Sequence, residues 1–159
     1  MPGLLANQSS YRSELAGILG ILYVTEALCE AHHITYGSIT IALDGKEAMH
    51  QASCSNEENP LQAGQNSFDL LLIIRKLCQA LPIMVKWKWV EGHQAEKGKR
   101  LDWWGRNNQT VDALAKQYWN SCQSTRQSNA PRVLRHEDIS VTMQGAKLSH
   151  FHRKTMYTS

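Results

Sequence analysis

Two short strand-like runs flank one amphipathic helical run, and that order restricts the fold more than any other feature of the chain. Residues 37–43 (GSITIAL) are β-branched and end at Asp44-Gly45. Residues 68–81 place Leu70, Ile73, Ile74, Leu77 and Leu81 at i, i+3, i+4, i+7 and i+11. Ser67 is set to cap that helix and Pro82 to stop it. Residues 84–90 give the second strand, so the unit is a right-handed βαβ crossover with parallel strands. Both strands then end on one rim, which brings Asp44 level with Gly92 and His93. Open α/β sheets place ligands at that rim.

The stretch 85–119 carries most of the candidate chemistry. Val85, Trp87 and Trp89 alternate with Lys86 and Lys88, the period of a strand with one buried face. Residues 91–100 are too polar and charged for core. From Trp104 onward Val111, Leu114, Ala115 and Tyr118 recur at helical spacing. Asn108 and Asp112 are four apart and share a face beside that stripe. A carboxylate there, near a strand end and His93, suits a metal and acid–base site. Lys86, Lys88, Lys97, Lys99, Arg100 and Arg106 crowd the same region. Lysines also guard sheet edges, so the cluster fits phosphate contact and a solvated edge equally well.

Upstream, Ser9 or Ser10 can cap a helix running from Tyr11 to about Ala31. Leu15, Ile18, Leu19 and Leu22 form its apolar stripe, and Ile21, Val24 and Leu28 widen it, which predicts a largely covered helix. Gly17 and Gly20 suggest close packing against a neighbour, and Glu14 falls in the expected first turn, where the dipole favours an anion. A short helix is expected at 46–52 and a polar loop at 53–66. The chain divides into an irregular start (1–8), an α/β domain (9–121), and a polar linker with a weakly structured basic tail (122–159). A weak hairpin is expected within 136–150, with Ile139, Val141 and Met143 alternating around a Gln144-Gly145 turn.

A chain of 159 residues suits one such domain, and its net charge of +3 does not by itself demand a nucleic-acid partner. Four scattered cysteines without a CxxC pair argue against zinc and against a disulfide scaffold. Reduced thiols in an intracellular protein, cytoplasmic or nuclear, fit best. No charged leader with an apolar run and no membrane-spanning stretch is visible.

WVEGHQ followed by NNQTVDALAK resembles the carboxyl-terminal third of a ribonuclease H domain, in the version attached to retrotransposon reverse transcriptases. The family pattern there is Gly-His, a variable loop, Asn, three residues, Asp and a Leu-Ala pair, matched by Gly92, His93, Asn108, Asp112, Leu114 and Ala115. SSYRSELAGILG resembles the family's first-helix opening, whose metal-binding glutamate corresponds to Glu14. Asp44 corresponds to its strand-terminal, metal-binding aspartate, although Gly45 stands where Ser, Asn or Cys is more usual. The resemblance runs from about Ser9 to Tyr118.

The resemblance implies a ribonuclease H-like α/β fold lacking its first three strands, with hydrolysis of the RNA in an RNA–DNA hybrid. Such chemistry uses two Mg2+ (or Mn2+) ions about 4 Å apart, held by converging carboxylates. Glu14, Asp44 and Asp112 would be the metal ligands, and His93 would assist proton transfer or product departure. Asn108 would meet the 2′-hydroxyl or sugar edge, with Lys86, Lys88, Lys97 and Arg100 on phosphates. The family's bridging first-strand aspartate has no counterpart, because the thirteen residues before Glu14 contain no acid, so the activity is expected to be weakened or lost. Its missing strand would leave an unpaired apolar edge, so the chain is expected to be part of a larger retroelement polyprotein or to complete its sheet with another chain. The alternatives are a non-catalytic retrotransposon-derived remnant that at most binds nucleic acid, and an unrelated α/β binding domain.

Overall fold

The computed structural model describes residues 9–92, 94, 100–122, 134–137, 142–143 and 146–147. The first helix, α1 (Ser10–Ala31), starts at Ser9, whose hydroxyl accepts the Arg12 N–H at 3.1 Å. That cap satisfies one of the donors a helix start leaves open. Next come β1 (Ser38–Leu43), α2 (Lys46–Ser53), α3 (Phe68–Ala80), β2 (Met84–Trp89) and α4 (Trp103–Cys122). The two strands are parallel and in register from Ser38 beside Met84 to Leu43 beside Trp89, so the expected parallel pairing of the two strands holds.

The core forms where the buried stripes of α1 and α3 meet each other and the inner face of β1. Leu15, Ile18, Leu19 and Leu22 pack with Leu70, Leu71, Ile73, Ile74, Leu77, Ile41 and Leu43, and Ala48 and Ala52 close the side toward α2. Inside this apolar layer lies a bidentate ion pair: both terminal nitrogens of Arg12 donate to Asp69, each at 2.8 Å. It fastens the first turn of α1 to the first turn of α3. Arg75 does similar work at the loop after α2, donating to the carbonyls of Gln51, Ser55 and Asn59 and to Asn56 Oδ1.

Several expectations need correction. Ile21, Val24 and Leu28 do not join a covered face of α1 but stand at 42%, 61% and 49% exposure. A Cβ on Gly17 or Gly20 would meet nothing within 4 Å, so neither glycine serves close packing. Ser67 does not cap α3 through its hydroxyl; it is buried in a left-handed conformation (φ 58°). On β2, Val85 and Trp87 are half-buried as predicted, but Trp89 is exposed. The stripe Val111, Leu114 and Tyr118 on α4 is also exposed, at 62%, 58% and 72%. An apolar period shows that a helix has a face to cover, not which element covers it.

Past α4, a hairpin of β3 (Thr142–Met143) and β4 (Ala146–Lys147) forms within the expected stretch. Residues 134–137 belong to the domain rather than to a linker. Leu134 is buried in the core, the Tyr23 hydroxyl donates to the Arg135 carbonyl, and His136 stacks on Tyr23 with its ring nitrogen 2.9 Å from Glu26. No described helix is long and apolar enough to cross a membrane.

Candidate metal and nucleic-acid site

Starting α1 at Ser10 puts Glu14 in the second turn, not the first, so dipole compensation does not account for it. Its side chain instead reaches the carboxyl end of β1. A Cβ on Gly45 would overlap the Glu14 carboxylate, and the absence of one lets the acid lie over the turn. Asp44 immediately follows β1, beside Gly92, where a Cβ would come within 2.9 Å of Asp44 Oδ2. Two glycines, one after each strand, thus clear the rim for two acids.

Among the described residues no cationic side chain stands between these acids. Burial raises the Glu14 pKa above its ordinary value, and the neighbouring Asp44 charge raises it further. Among the described residues neither carboxylate pairs with a lysine or arginine; the ion pairs seen are Arg12–Asp69 and those of Glu26 with Arg135 and His136. Asp44 is held from two directions: Asn108 Nδ2 donates to Oδ2 at 3.3 Å, and Trp89 Nε1 donates to its carbonyl at 3.0 Å. Lys46 in turn lies 4.2 Å from the centre of the Trp89 ring.

Asn108 therefore joins the rim through Asp44. Asp112, one turn further along α4, is half-buried on the same side. No three Asp, Glu, His or Cys side chains among the described residues come together as a metal cage, so Glu14, Asp44 and Asp112 do not form one. His93 and Lys97 lie outside the described residues. Lys86, Lys88 and Arg100 are exposed, and Lys88 stands 5.4 Å from the centre of the Trp104 ring. Two further residues position this region, Trp89 and Asp102. The side chain of Asp102 caps α4 by accepting the Gly105 N–H at 2.7 Å, and an acid three residues before Gly105 was the available signal.

Two adjacent acids with no counter-ion among the described residues fit one divalent cation. Magnesium binds through one or two carboxylates and takes its remaining oxygens from water and phosphate. The raised Glu14 pKa also has a stability consequence. The folded state holds its proton more tightly than the unfolded chain, so stability falls as pH rises through that window. In chelator, Glu14→Gln should therefore melt higher than wild type at pH 7, with the gap closing near pH 4. Thermal melts at the two pH values check this, and an equal gap at both would contradict it. No family model matches the chain, and neither the curated proteins nor the solved structures include a significant match.

Proposed function

We propose that this chain is a ribonuclease H-type domain that acts on RNA–DNA hybrids with a divalent cation, Mg2+ or Mn2+, held by Glu14 and Asp44. The observation that carries the reading is the pair of adjacent carboxylates, with no cationic partner among the described residues, at the shared carboxyl end of two parallel strands. The cation, when bound, supplies Lewis acidity toward a phosphoryl oxygen and makes a bound water more acidic. The chain's own groups do the rest. Asn108 orients Asp44 with one amide hydrogen and keeps its carbonyl for a sugar hydroxyl. Lys86, Lys88, Lys97 and Arg100 hold phosphates along the hybrid. Asp112 is the third acid of this reading, and His93 moves a proton at the departing oxygen.

Two adjacent acids rather than three among the described residues predict slow hydrolysis. The same shortfall favours the second reading, a hybrid-binding remnant without turnover. Incubating a labelled RNA–DNA hybrid with the protein and Mg2+ separates them. Slow RNA cleavage that disappears in Asp44→Asn supports the enzyme. Hybrid binding without cleavage by folded protein leaves the remnant, and neither binding nor cleavage removes both.

A further inference from the structure

The two-stranded sheet has two outer edges, and they are guarded differently. β2 carries Lys86 and Lys88, the usual deterrent to edge pairing. β1 reads SITIAL, with no charge and no proline. The orientation of its backbone follows from the bonds at its two ends. Met84 N–H donates to the Gly37 carbonyl and Val90 N–H to the Leu43 carbonyl, each at 3.0 Å. In a parallel ladder these bonds turn the odd-numbered residues of β1 toward β2. Ser38, Thr40 and Ala42 therefore present their N–H and carbonyl groups to the open side, where no described strand lies.

We propose that β1 is a dimerisation edge, pairing antiparallel with β1 of a second copy about a two-fold axis at Thr40. The strand is self-complementary in that register. Thr40 faces Thr40 of the second copy, and Ser38 faces Ala42, all in positions whose backbone groups point outward, giving roughly six interstrand hydrogen bonds. Ile39 meets Ile41 on the face already turned to the core, so no side chain changes sides. Shifting the register by one residue would set threonine against isoleucine and misalign the backbone groups. A Thr–Thr pair and β-branched neighbours are favourable cross-strand partners. The product is a four-stranded sheet in which β1 becomes central and only the lysine-bearing β2 edges remain outside.

Apolar surface is available nearby. α4 passes Lys88 at Trp104 and reaches the end of β1 at Asn108. The turns that follow carry Val111, Leu114 and Tyr118, each more than half exposed.

Light scattering after size exclusion at about 100 μM, where a micromolar Kd gives mostly dimer, reads the mass directly. The expected value is twice the 18.0 kDa of one chain. Thr40→Lys sets like charges face to face, and Thr40→Pro removes an outward N–H that β2 does not use. Both should run as monomers with unchanged far-UV circular dichroism. Hydrogen exchange on wild type gives a reading independent of either variant folding: the Thr40 and Ala42 amides should be protected when concentrated and exchange freely when diluted. A wild-type monomer, a dimer that survives both substitutions, or fast exchange of those amides at high concentration would each overturn the proposal.

Discussion

Asp69→Ala should lower the free energy of unfolding by about 3–5 kcal/mol, the range seen when one partner of a buried ion pair is removed. The Arg12 side chain has no solvent exposure and the Asp69 side chain only 6%, so water cannot replace the lost carboxylate. Both terminal nitrogens of Arg12 lose an acceptor at once. The pair joins positions 57 residues apart, so its loss loosens the contact between α1 and α3 on which the core is built. Arg12→Met combined with Asp69→Leu should recover much of the stability lost by either single change, since no charge is then left buried. Urea unfolding of wild type, Asp69→Ala, the single variants Arg12→Met and Asp69→Leu, and their double variant measures this. A loss under about 1 kcal/mol for Asp69→Ala would contradict the assignment, because exposed pairs behave that way.

Gly45→Ala should weaken divalent-cation binding by about 10–100-fold, comparable to disturbing a residue that orients a metal ligand. The φ of Gly45 is −73°, which alanine adopts freely, so backbone strain is not the cause. The cause is overlap: the added Cβ would occupy the place of the Glu14 carboxylate and force that side chain off the rim. Gly17→Ala is the control. It lies on the same helix as Glu14, its Cβ would meet nothing within 4 Å, and alanine is the better helix former. It should bind the cation as wild type does and unfold at slightly higher urea. Isothermal titration of the three proteins with Mn2+ reads the difference, and equal affinity in Gly45→Ala would contradict the cradle.

The parts of this fold set by local pattern were legible in the sequence. The period of residues 68–81, the β-branched run 37–43 and the alternation after Pro82 fixed the crossover and with it the rim occupied by Asp44 and Gly92. Ser9 as a cap was legible, but its choice over Ser10 moved Glu14 by a residue and out of the first turn. Features that depend on distant partners were not legible. Arg12 and Asp69 look like surface charges when each is read alone. Leu134 looks like part of a linker until it is seen packed on the core. The second apolar stripe of α1 and the stripe of α4 read as core positions, yet they are exposed because no described element covers them. At the rim, the Glu14–Asp44 juxtaposition followed only from the family resemblance, since nothing in spacing ties residue 14 to residue 44.

The central claim is that Glu14 and Asp44 together hold a divalent cation. Titrating Mn2+ into isotope-labelled protein and following paramagnetic broadening of the backbone amides tests it most directly. The account predicts that Gly45 and Gly92 broaden first, that Mg2+ competes the effect away, and that Asp44→Asn abolishes it. Broadening centred elsewhere in the chain, or unchanged in Asp44→Asn, would contradict it.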